Sequence, residues 1–314
     1  MSERPSAARG RWFAKRRPRP APATRIGIVT DSSACLGGPW LEHPDFEMLT
    51  IPVIIDDVVC GDDTDALVMG LAMGQAVRTS RPAPGQFMRA YRQLAEAGCE
   101  AIISVHLSAG LSGTHESARL AAGQVQVPVT VVDSRTVALP LGFAVRRMLT
   151  ARAAGAGLDE LLDIARAAKD NSVFFAVPNL DQLRRGGRIS TLSGVVGNLL
   201  SVKPILAIQD GAIHPVEKPR TFPRAQSRLV ALGRQVAEQA RQAGADVEVG
   251  IMHFGAQDPA EELAREVAEL TDHPVALEPL PAVLAAHTGV GVLAVCVAPH
   301  YPPAPEHPQA DEPQ

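Results

Sequence analysis

The chain has 314 residues, of which 46% are hydrophobic, 20% charged and only 4% aromatic, a globular composition with room for two domains. Thirty basic residues against 34 acidic ones leave a net charge of -4, which argues against nucleic acid as the partner of the folded body. The four cysteines, Cys35, Cys60, Cys99 and Cys296, form no CxxC pair, so the usual zinc and thioredoxin signatures are missing and a reducing cytoplasm is expected.

Residues 1–24 are basic, Pro-containing and without the apolar core of a secretory signal. They read as a disordered tail making at most peripheral contact with acidic lipid or a partner. RIGIVT is a strand closed by TDSSACLGG, and FEMLTIPVII reads as a second strand. Helical spacing runs from Asp65 to Val77 and again along GQFMRAYRQLAEAG. AIISV is a buried strand whose exit loop, HLSAGLSGT, enters a helix near His115; VPVTVV is a strand stopped by Asp133 and Ser134, with a helix following to about Ala153. This alternation predicts an N-terminal domain, residues 25–154, built on a mainly parallel sheet with helices on both faces.

The small-residue stretch AAGAGLD sets the boundary to a C-terminal α/β domain, residues 155–300. That domain contains a helix (LDELLDIARAA), a strand (SVFFAVP) and two short strands, PILAIQ and AIHPVE, around Asp210-Gly211, a hairpin signal that makes its sheet mixed. DPAEELAREVAEL reads as a helix capped by Asp258, with Pro259 first, Glu261 closing a capping box, and Leu263, Val267 and Leu270 on one face. GVLAVCVA is a closing core strand, and the Pro-rich residues 301–314 are a second disordered tail. No run of about 18 apolar residues is available to span a membrane.

Four polar segments sit at predicted strand ends, where open α/β sheets place ligands: TDSS at 30–33, RTSRPAPG at 78–85, HLSAGLSGTHESA at 106–118 and AAHTGVG at 285–291. Ser112 and Thr114 could simply cap a helix, Thr79 could cap a loop, His287 could be a core histidine, and Asp31 and Asp133 read as N-caps. Ser112, His287 and Asp31 could also be cast as a hydrolase triad, but the GxSxG elbow is absent. There is no P-loop either.

In this order and spacing the segments resemble the DegV family, with its TSQP, SSGLSGTY and AHTGxG motifs. LRRGGRIS at 183–190 and the block from Lys203 to Thr221 match two further family stretches, and the resemblance runs from Arg25 to Ala298. It implies a two-domain, non-enzymatic carrier holding a long-chain fatty acid between its domains, without a cofactor; nothing reads as an extended apolar seam, so a monomer is expected, and the cysteine pattern points to no metal and to the cytoplasm. By the same resemblance the carboxylate is bound by Thr79 and Ser112 with His287 close by. Ser80, Gly113, Thr114, Arg188 and Arg220 are further head-group or docking residues, and a basic face of Arg184, Arg185, Arg188 and Arg220 is either solvated or a docking patch. The acid is presented to a separate fatty-acid kinase, which forms an acyl phosphate for phospholipid synthesis. Ala109 departs from the second serine of the family's SSG, and Val290 fills the variable slot of AHTGxG.

Physical chemistry permits this. A buried carboxylate needs donors around it, and roughly 14 methylenes at about 0.8 kcal/mol each supply about 11 kcal/mol gross, before association costs. The alternatives are a serine-dependent hydrolase acting on an acyl ester and a non-lipid regulatory protein on the same fold.

Overall fold

The computed structural model describes residues 24–189 and 202–300. The tails expected at residues 1–24 and 301–314 lie outside the described residues except for Thr24. The chain opens with β1 (Ile26–Asp31), buried at every residue, as a strand covered on both faces must be. Then follow β2 (Phe46–Leu49), β3 (Val53–Ile55), β4 (Val58–Gly61), α1 (Thr64–Ala72), β5 (Val77–Thr79) and α2 (Pro84–Glu96). Next are β6 (Ala101–His106), α3 (Thr114–Ala122), β7 (Val129–Asp133), α4 (Leu139–Ala153) and α5 (Leu158–Ala167). The second half comprises β8 (Ser172–Ala176), α6 (Asp181–Arg185), β9 (Ile205–Gln209), β10 (Ala212–Glu217), α7 (Phe222–Gln242) and β11 (Asp246–Phe254). It closes with α8 (Gln257–Val267), β12 (Ala276–Pro279), α9 (Ala282–Thr288) and β13 (Val292–His300).

The strands form a parallel sheet of order β2-β1-β6-β7, a mixed sheet of order β10-β9-β8-β13-β11-β12, and a small antiparallel sheet of order β4-β3-β5. The Asp210-Gly211 hairpin is present: both residues have positive φ, 51° and 80°, and β9 and β10 pair antiparallel across them, as a two-residue primed turn requires.

Three expectations need correction. FEMLTIPVII is two strands: Pro52, which has no N–H to give a ladder, separates β2 in the parallel sheet from β3 in the small sheet. There the chain peels away from the end of β1, with Ile51 N–H donating to Ser32 Oγ at 3.0 Å. The helix expected from Asp65 to Val77 stops at Ala72, because Gly74 adopts φ 69°, and Val77–Thr79 instead pairs with β3. Finally, α8 starts at Gln257, so Asp258 is inside it and caps nothing. Glu261 accepts from Gln257 Nε2 at 2.7 Å instead of closing a box. The expected face survives, with Leu263, Val267 and Leu270 all buried.

The layers stack as α2 and α3, parallel sheet, α4 and α5, mixed sheet, α7 and α8. α4 is buried nearly all round, the mark of a helix between two sheets, and packs on β1, β11 and β13. Its Gly142 lies so close to the Ala34 carbonyl that a Cβ would collide with it. α5 packs on α4, β6 and β7. Residues of both sheets, among them Ile28, Ile103, Val173, Phe175 and Met252, share one core. The small sheet with α1 and α9 forms a flap at the end of β1, and Asp62 Oδ1 accepts from Ala282 N–H at 3.0 Å to tie α9 to it.

Candidate functional site

A cavity opens where the loops after β1 and β6 meet the flap and the inner face of the mixed sheet. Its walls include Ile51, Leu107 and Val137 from the first half, Val173, Phe175 and Met252 from the mixed sheet, Ile208 and Ile213 from the hairpin, and Leu280, Val283 and Leu284 around α9. The space, counted with its mouth and the solvent in it, is about 800 Å³. The lining is almost wholly apolar. Polar side chains come from Thr79, Ser112, Arg188, His287 and Thr288.

Each polar group is placed by its element. Thr79 ends β5, opposite Val53 of β3, and its Oγ1 is hydrogen-bonded to His287 Nε2 at 2.8 Å. His287 lies in the last turn of α9, which packs on β5. Its Nδ1 is buried without a hydrogen-bond partner, and it faces Gly186, where a Cβ would strike the ring. Burial, with the Arg188 charge nearby, pushes the His287 pKa down to about 4, so the ring is neutral at pH 7.

Ser112 follows β6 in a turn whose backbone is folded on Ser108, with Ser112 N–H donating to the Ser108 carbonyl at 3.1 Å. Its Oγ is 2.8 Å from Thr114 Oγ1 and accepts from Thr114 N–H at 3.3 Å. Ser112 lines the cavity, whereas the residue capping α3 is Gly113, so neither Ser112 nor Thr114 is the helix cap. Arg188 donates to the carbonyls of Leu111, at 3.1 Å, and Gly186. Backbone carbonyls hold its guanidinium but do not neutralise it, and among the described residues it has no carboxylate partner. A smaller polar recess, formed by Ala109, Gly110, Gly113 and Gly187 with Ser112 and Arg188, adjoins the cavity.

Thr79, Ser112, His287 and Arg188 thus line one cavity. Thr114 is buried behind Ser112, and Gly113 borders the recess with the Arg81 guanidinium over it. Two expected residues are elsewhere. Ser80 is exposed, its Oγ donating to the Arg81 carbonyl at 3.2 Å. Arg220 is exposed beside Glu217, Arg224 and Arg228 near the start of α7. Position in a motif brought both to notice, but neither side chain lines the cavity.

The hydrolase triad is not assembled either. Asp31 Oδ2 lies 3.0 Å from His106 Nδ1 and accepts from Leu107 N–H, while Oδ1 accepts from Ser33. His287 meets Thr79 instead. Asp133 accepts from Ala109 N–H and Arg135 N–H, a loop-fastening version of its expected capping role. Sequence reasoning missed His106 and Arg81. His106 joins a chain that runs Tyr91, Ser104, His106, Asp31, with links of 2.8, 2.6 and 3.0 Å; the alternation of Ser104 and His106 along an otherwise apolar strand was the available signal. Among the described residues no cluster of His, Cys, Asp and Glu is arranged to hold a metal ion, and no helix is long and apolar enough to cross a membrane.

Comparison with known proteins agrees with this architecture. A DegV domain-containing protein of Streptomyces coelicolor is 38% identical over 282 residues, covering 87% of this chain and 98% of its own. A solved structure described as fatty acid binding of a DegV family protein from Thermus thermophilus superposes with a TM-score of 0.81 at 29% identity, covering 88% of this chain and 99% of that one. A fatty acid binding DegV family protein from Streptococcus agalactiae gives a TM-score of 0.81 at 28% identity, covering 89% of this chain and 100% of its own. The family model described as uncharacterised protein, DegV family, matches residues 25–300. With its mixed α/β architecture and two-domain fold, the chain belongs to the DegV family.

Proposed function

We propose that the chain binds a long-chain fatty acid, with the acyl chain in the cavity and the carboxylate at the end formed by Thr79, Ser112 and His287. The observation that carries this reading is the contrast within one cavity. Its walls are apolar, while at one end an unneutralised guanidinium and a buried, partnerless imidazole nitrogen are gathered. A carboxylate would supply acceptors for the guanidinium and for the Thr79 and Ser112 hydroxyls. The similar solved structures described as fatty-acid binding support the same reading.

The geometry suggests how the carboxylate is held. When His287 Nε2–H donates to Thr79 Oγ1, the threonine hydroxyl is free to donate to the ligand; Ser112 offers a second hydroxyl. Arg188 adds positive charge from a position fixed by carbonyls, without needing a bidentate grip. One carboxylate oxygen then stays available at the polar recess, where a separate fatty-acid kinase can phosphorylate it to an acyl phosphate for phospholipid synthesis. The chain itself transfers no group in this scheme and needs no cofactor; it acts in the cytoplasm as a monomeric carrier. As for the domain division, the packing of α5 on β6 and β7 favours a boundary after Asp170 over one at residue 154.

Native mass spectrometry of the purified protein, with identification of extracted lipid, tests the proposal. One equivalent of a long-chain fatty acid, lost in Thr79→Ala/Ser112→Ala, is the expected outcome. A protein that is empty and refuses added fatty acid would leave only the fold standing.

A further inference from the structure

The outer surface of the flap carries an apolar patch that the cavity does not explain. Val58 on β4, and Val68, Met69 and Met73 on α1, are large hydrophobic side chains left exposed, Met69 by 61% and Met73 by 69%. They fall within sixteen consecutive residues, whereas single exposed apolar residues are ordinarily scattered. Val58 pairs with Ile55, and Ile55 faces Gly70 of α1, so Val58 lies on the helix side of the sheet. β4 is an edge strand. A groove runs alongside α1, with Val68, Leu71, Pro178 and Val290 among its walls.

The charge around the patch is mainly acidic: Arg185 on the far wall of the groove has Asp181 on the same wall. Residues 56–78 contain Asp56, Asp57, Asp62, Asp63 and Asp65, and the single base Arg78, which is already paired with Asp57. A second copy of the patch would bring like charge against like, and an anionic lipid surface would be repelled. The chain itself holds the complement. Residues 1–24 carry seven basic residues against Glu3 alone, and among them the adjacent aromatics Trp12 and Phe13. This arm precedes the family match, which starts at residue 25, so it is additional to the body shared with relatives covered to 98–99% of their own length. Its root, Arg25, is fixed to Asp45. Twelve residues from there to Phe13 reach about 40 Å, while β1, which leads to the flap, spans about 20 Å.

We propose that this N-terminal arm docks on the flap, with Trp12 and Phe13 against the apolar patch and groove and the flanking arginines among the aspartates. The docking does not depend on which ligand the cavity takes.

The full chain with Trp40→Phe leaves Trp12 as its sole tryptophan. Acrylamide quenching of Trp12 should be several-fold weaker than for free indole at low salt, rising to the free value in 1 M NaCl or in the exposed-site variant Met69→Glu/Met73→Glu. Hydrogen exchange of residues 58–73 should quicken when residues 1–23 are removed. Free-indole quenching at low salt overturns the proposal, as does shielding that the Met69/Met73 variant leaves intact. Shielding that appears only as protein concentration rises, or only with phosphatidylglycerol vesicles, assigns the arm to a second copy or to lipid and equally overturns it.

Discussion

Two polar clusters lie on either side of the β6 exit, and they differ in one respect. In the first, Tyr91, Ser104, His106 and Asp31 are all fully buried and each hands a hydrogen bond to the next, with Asp31 also taking Leu107 N–H and Ser33. Burial pushes the Tyr91 pKa up to about 12, so it stays a neutral donor within the chain. In the second, Thr79 and His287 bond to each other, but His287 Nδ1 has no partner and Arg188 is held only by carbonyls. A satisfied buried network fastens a fold; an unsatisfied one on the wall of an apolar cavity waits for a ligand. Both contain a histidine, and histidine alone does not tell them apart.

The largest effect should come from breaking the satisfied cluster. Asp31→Ala strands His106, Leu107 N–H and Ser33 in a dry interior, and the cost should be about 3–5 kcal/mol in urea unfolding. Loss below about 1 kcal/mol would mean that the network is not structural. His287→Ala should do the reverse: stability changes by about 1 kcal/mol or less, since an unpaired nitrogen is removed, while fatty-acid affinity falls about tenfold or more. If instead it unfolds the protein and spares the affinity, the two clusters have been assigned the wrong way round.

Gly186→Ala sharpens the comparison further. The glycine has an ordinary helical φ of -73° as the residue closing α6, so its missing Cβ is demanded chiefly by the His287 ring, with the Gln182 carbonyl a lesser contact at 3.2 Å. Alanine there should reproduce most of the His287→Ala binding defect, read by the same titration.

A last effect of the same ring is in pH. The empty protein holds His287 near 4 against 6.5 when unfolded, so between those values the unfolded chain takes up a proton that the folded one refuses. Stability should therefore fall as pH drops from 6.5 to 4, by about 1–3 kcal/mol from this ring, and the slope should shrink in His287→Gln, leaving the part due to His253, Asp246 and Glu248, which are shifted in the same direction. An unchanged slope would show that the ring is not desolvated.

Much of this was legible in the residues. Apolar runs such as IGIVT and AIISV announce buried strands, and Asp210-Gly211 announces its hairpin, because those signals are local. The flap was not legible. Pro52 cuts one apolar run into strands of two different sheets, and β5 is three residues long, too short to show a period. α7, 21 residues long, has a buried face that is largely alanine and glycine, with Leu229 and Val230 as its larger apolar residues. At the site, motif order brought Thr79, Ser112 and His287 to notice, yet the hydrogen bond between residues 79 and 287 is a product of the fold. Ser80 and Arg220 show the opposite case, motif residues whose side chains point elsewhere.

The most direct test follows the ligand's head group. Bound [1-13C]palmitate, observed by NMR in the wild-type protein, should give a single carboxyl resonance shifted from that of the free acid. Binding should move the His287 ring nitrogens at the same time, and the carboxyl shift should change in His287→Ala and in Ser112→Ala. A bound carboxyl that titrates like the free acid and ignores both substitutions would contradict the account, because the head group would then lie somewhere other than the unsatisfied cluster.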